Sequence, residues 1–70
     1  MSRYAVVIEK TPTGFSAYVP DLPGCIGTGQ TVAEVEKRMR KGIQLHLEAM
    51  RDDGDPIPEP TTLVRELEVA

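Results

Sequence analysis

The chain is short of the groups that staple or cage a small protein. Cys25 is the only cysteine among 70 residues, so no disulfide can close within the chain. Cys25 and the single histidine, His46, are too few for a Cys/His zinc cage. A basic excess is missing as well. Eleven acidic residues outnumber eight basic ones, giving a formal charge of −3, which disfavours independent nucleic-acid binding. Long apolar runs are absent: the N-terminal stretch Ala5 to Ile8 is too short for a secretory core, and nothing reaches membrane-spanning length. A lone thiol fits a reducing compartment, so the expected location is the cytoplasm, with no membrane partner.

Size sets the next constraint. Seventy residues make one domain, 1–70. Ordering each residue costs roughly 1.5 kcal/mol, which area burial in so small a core about cancels. With disulfides and metals excluded, association remains, and a homo-oligomer (dimer or tetramer) is expected.

Residues 3–9, RYAVVIE, read as a strand rich in β-branched side chains. Tyr4, Val6 and Ile8 share one face and Ala5 and Val7 the other, which predicts a central strand covered on both sides. KTPTG turns the chain into a second strand, FSAYV, residues 15–19. PDLPG ends that strand, because two prolines lack amide donors. A short third strand, Cys25 to Thr28, precedes one long helix over 31–53. Its stripe is Val32, Val35, Met39, Ile43, Leu47 and Met50, and Gly54 is its stop. DPIPEP then leads to TTLVRELEV, residues 61–69, whose alternation predicts a last, edge-like strand. The order β-β-β-α-β with a right-handed crossover gives an α+β fold: one mixed four-stranded sheet, spatial order 3-2-1-4, with the helix packed on it.

One motif invites a nucleotide. GCIGTGQT, residues 24–31, has P-loop spacing, but Gln30 stands where the lysine must reach the phosphates. Cap chemistry explains it better: Thr31 and Glu34 match the T-x-x-E capping box, and Gly29 supplies the tight entry. No cofactor is expected.

The run YVPDLPGCIGTGQTVAEV, with YAVVIEKTPTGF before it and PIPEP after the helix, resembles the HicB-like antitoxin family. Pro20, Asp21, Leu22, Pro23, Gly24 and Cys25 carry the most specific part of the pattern, and Gly29, Thr31 and Glu34 continue it at the helix start. Gln30 and Val35 depart from the family's usual acidic residue and alanine. The resemblance implies a partial, degenerate RNase H-like fold. It also implies a type II toxin–antitoxin role, in which the chain binds a small basic mRNA-cleaving toxin of the HicA type and blocks it. Longer members of the family continue into a DNA-binding segment; residues 1–70 supply none, so self-directed repression is not expected.

The candidate sites follow. Asp52, Asp53, Asp55, Glu59, Glu66 and Glu68 are the expected electrostatic bait for a basic toxin. Asp21 is expected to cap local amides in its proline-framed turn and also to be able to reach a toxin cation, the two roles not being exclusive. Gly42, Leu45, His46 and Ala49 form a flank suited to contact between subunits, with His46 read as a core or interface side chain rather than a ligand. Cys25 reads as a small buried side chain, since no cationic neighbour activates it. A residual nuclease would need converging carboxylates around paired metal ions, and Glu9 with Glu66 offers at most one pair. The expectation is therefore a non-enzymatic antitoxin; the alternative is a solitary homo-oligomeric regulatory module without a toxin.

Overall fold

A computed structural model describes residues 2–70. β1, Val7–Thr11, and β2, Gly14–Tyr18, pair antiparallel around Pro12 and Thr13. Pro12 has no amide donor and a fixed φ, so the ladder ends at its neighbour. β3, Ile26–Gly29, pairs antiparallel with the other side of β2. The sheet is a three-stranded meander in the order β1-β2-β3, and α1, Val32–Asp52, packs across β2 and β3.

Register decides which side chains meet the helix. Ile8, Ala17 and Gly27 lie abreast, as do Lys10, Phe15 and Gly29. Ala17, Val19, Leu22, Cys25, Val35 and Met39 are buried, and Tyr4, Val6, Ile8, Phe15, Ile43, Leu47 and Met50 pack around them. On β3 the helix-facing positions are both glycine, and the reason is distance. A Cβ on Gly27 would stand 2.8 Å from Met39 Sδ, and one on Gly29 would stand 2.8 Å from Val35 Cγ2. Glycine lets the helix settle almost onto the strand, which makes Gly29 the last residue of β3 rather than the exit from it.

The β2–β3 connector is a folded plug. Leu22 N donates to Val19 O at 3.1 Å, Cys25 N donates to Leu22 O at 3.0 Å, and Val19 N closes on Cys25 O at 3.1 Å. Two successive turns drive Leu22 inward until none of it is exposed.

At the helix start, Thr31 Oγ1 accepts from Glu34 N at 3.1 Å, one half of the expected capping box. The other half is not made. The Glu34 carboxylate instead pairs with Arg38 at 2.9 Å, while Arg38 also donates to Thr28 O at 2.8 Å. At the other end, Asp55 N donates to Met50 O and Gly54 N to Arg51 O, with Gly54 at φ +74°, a Schellman stop. The helical stripe is as expected except for Val32, which is 42% exposed.

Two expectations are overturned. β1 is an edge strand, not a central one, and residues 3–6 lie outside the ladder. The fourth strand does not form: residues 61–69 carry no regular structure, so among the described residues the sheet has three strands and no parallel crossover. The cause lies at Thr61 and Thr62, whose amides are taken by Asp21 instead of by a strand.

Candidate partner-binding surfaces

Asp21 is displayed by the Leu22 plug at the β2–β3 end of the sheet. The connector after α1 passes Tyr4, whose hydroxyl donates to Pro58 O at 2.5 Å, and then meets Asp21. Thr61 N and Thr62 N both donate to Asp21 Oδ2 at 3.1 Å, and the two threonine hydroxyls both donate to Oδ1 at 3.0 Å. Burial alone would raise this carboxyl's pKa. The four hydrogen bonds from Thr61 and Thr62 outweigh it and hold the group below its usual value. Asp21 thus caps amides, but those of Thr61 and Thr62 rather than of its own turn. Sequence reasoning missed this clamp. Its only trace is a proline-framed aspartate and a Thr-Thr pair 40 residues later.

The remaining predicted acids separate into two groups. Asp52, Asp53 and Asp55 cluster around the end of α1, with Glu59 on the connector beyond, and all four are exposed. Glu66 and Glu68 lie on the exposed tail. Carboxylates at a helix C-terminus face the negative end of its dipole, a placement that works against helix stability. They also lack the basic surroundings that would neutralise them, since Arg51 is the one basic residue in the last turn.

Opposite the helix, the sheet face is uncovered. Val7, Tyr18 and Ile26 stand abreast across all three strands, with Tyr18 43% and Ile26 75% exposed. On α1, the predicted flank is a mixed surface: Leu45 and Ala49 are exposed, whereas Gly42 and His46 are half-buried. A third surface is a groove between the N-terminal segment and α1. Val6, Ile43 and Leu47 line its floor, and Arg3, Arg40 and Arg51 stand with Glu36 around it.

Among the described residues, no three His, Cys, Asp or Glu side chains come together as a metal site, and no helix is long and apolar enough to cross a membrane. Glu66 sits on the tail and not on a strand beside Glu9, and both are exposed. The glycines of GCIGTGQT belong to the plug and to β3, and Thr31 Oγ1 is occupied by the helix cap. Burial pushes the Cys25 thiol up, away from the reactive thiolate.

Similarity to known proteins covers nearly all of this architecture. An uncharacterised 14.9 kDa protein of Haemophilus phage HP1 is 36% identical over 56 residues, 80% of this chain and 42% of its own length. A chain of a HicA3 and HicB3 toxin–antitoxin complex superposes with a TM-score of 0.72 at 37% identity, over 84% of this chain and 69% of its own. The crystal structure of antitoxin HicB3 gives a TM-score of 0.69 at 38% identity, over 81% of this chain and 42% of its own. The chain therefore spans less than half the length of the phage relative and of that antitoxin. The family model for the HicB-like antitoxins of bacterial toxin–antitoxin systems matches residues 4–68, from Tyr4 beside β1 through the plug and α1 to Glu68 on the tail; the chain belongs to that family.

Proposed function

We propose that this chain is a non-enzymatic antitoxin that neutralises a small, basic, mRNA-cleaving toxin of the HicA type by direct protein–protein contact in the cytoplasm. The observation that carries the reading is its 37% identity and TM-score of 0.72 against a chain of a HicA3 and HicB3 complex. Its β-β-β-α unit is read as the reduced core of an RNase H-like fold that has kept the scaffold for recognition alone.

The contact is electrostatic in its first step. Asp52, Asp53, Asp55 and Glu59 present a solvent-facing acidic end of the helix and connector, and Glu66 and Glu68 extend the same sign along the tail. Complementary charge of this kind accelerates encounter more than it tightens the final complex. The uncovered row Val7, Tyr18 and Ile26 supplies apolar area for the docked state.

The test is co-expression with the small basic protein encoded in the neighbouring reading frame, followed by co-purification and association kinetics. Replacing Asp52, Asp53, Asp55 and Glu59 together by lysine is expected to slow association by roughly ten-fold or more at low salt, with the difference shrinking as salt rises. An unchanged association rate would remove those four residues from the interface. Failure of the wild-type chain to co-purify with any such protein would remove the toxin.

A further inference from the structure

Among the described residues, β1 pairs only with β2. Its other edge presents unpaired amides and carbonyls, which is a template for another strand. Just before β1, the N-terminal segment and α1 form the groove lined by Val6, Ile43 and Leu47. The same chain carries a strand-like segment with no sheet to join. Leu63, Leu67 and Val69 alternate onto one side of residues 63–69 and are 79%, 82% and 87% exposed. So much apolar surface left in water at one place marks an interaction segment.

The segment cannot readily reach its own β1. The connector crosses the end of the sheet from Tyr4, next to β1, to Asp21, at the β2–β3 loop. Thr62 is fixed there, on the Asp21 carboxylate beyond the end of β2. A return would need a sharp reversal just after Thr62, yet LVRELEVA contains neither glycine nor proline. A second copy faces no such obstacle.

We infer that residues 63–69 of one copy add to the open edge of β1 in a second copy, and reciprocally, forming a two-fold strand-exchanged dimer. Each sheet then gains a fourth strand from its partner. Such an exchange is isologous: the same edge and the same tail are used twice, and the assembly closes at two. Leu63, Leu67 and Val69 cover Val6, Ile43 and Leu47. Charge supports the match: the groove carries Arg3, Arg40 and Arg51 against Glu36, and the tail carries Glu66 and Glu68 against Arg65. Arg65 shares the side of Leu63 and Leu67, so it arrives over the groove that holds Glu36. The inference goes beyond toxin binding, because it requires no toxin and survives if none is found.

The experiment compares the purified chain with two variants, one ending after Thr62 and one carrying Leu63→Asp and Leu67→Asp. The shortened chain keeps every donor of the Asp21 clamp, and both leucines are solvent-exposed, so folding is preserved and circular dichroism checks it. Light scattering should give twice the 7.7 kDa chain mass for the wild type and the single mass for both variants. Amide exchange of residues 7–11 should be slow in the wild type and clearly faster in both variants, because only the dimer pairs the second edge of β1. A monomeric wild type overturns the inference, as does a dimer that persists in the shortened chain or β1 exchange that is the same in all three. A tail that becomes ordered only on addition of the toxin also overturns it.

Discussion

Asp21 shows how one side chain can redirect a whole segment. Its two oxygens accept four hydrogen bonds from Thr61 and Thr62, and those bonds hold its pKa below the usual carboxylate value against the opposing effect of burial. A carboxyl with a depressed folded-state pKa contributes order that is complete above its unfolded value, here 3.8, and is lost as pH falls through the lower folded value. The clamp should therefore stay closed at neutral pH and open only below about 3.8, with the Thr61 and Thr62 amide signals of an NMR titration moving together in that window. Asp21→Asn should release both threonines at neutral pH, since an amide has one acceptor oxygen where the clamp needs two. The exchange of those two amides would then become fast while that of α1 stayed slow; unchanged exchange would show that the threonines are held by something else. In the sequence, the proline frame around Asp21 announced a turn and a capping carboxylate. It did not announce the partner, because polar pairs 40 residues apart leave no periodic signature.

At the level of elements, periodicity and cap chemistry were legible because both act over a few residues. β2, the stripe of α1 from Val35 onward, the Thr31 cap and the Gly54 stop appear at or within a residue of where the pattern placed them, whereas β1 begins four residues later than residue 3, at Val7. Glu34 is the instructive miss. At the third helical position it suits a capping box, but Arg38 sits one turn later and captures it at 2.9 Å. The glycines of β3 were legible only as punctuation, while their role is packing. Gly29→Ala should cost about 1–3 kcal/mol, since Val35 Cγ2 and the Val35 backbone nitrogen at 3.2 Å leave the new methyl nowhere to go. Gly42→Ala should act in the opposite sense. Nothing lies within 4 Å of its Cβ position, and alanine in a helix interior is favoured over glycine by roughly 0.5–1 kcal/mol. Urea denaturation of the two variants checks both signs. Gly42→Ala also probes the predicted flank of Leu45, His46 and Ala49: a more stable chain with unaltered mass would show that copies do not meet there.

For the whole molecule the limiting quantity is core size. Among the described residues six hydrophobic side chains are buried, and only Leu22 and Val35 are sealed off completely. Typical stability of roughly 0.05–0.15 kcal/mol per residue leaves a chain of this length with little reserve. The sequence said this much through its length and its missing staples. It also led to residues 61–69 being read as a strand, which the structure does not contain; alternation specifies which residues share a face and never whether a sheet receives them. That is why the fourth strand was expected beside its own β1 and is instead an extended tail with Leu63, Leu67 and Val69 in water. If the missing core is completed by a second copy, stability must depend on concentration, because unfolding then also separates the chains. A ten-fold increase in protein concentration adds about 1.4 kcal/mol per dimer, which for a pair of 70-residue chains raises Tm by roughly 3–6 °C. The chain shortened after Thr62 should lose that dependence and melt lower at every concentration. Calorimetry over a hundred-fold range of concentration reads both effects, and a wild-type Tm that stays constant across it would place all of the stability within a single copy.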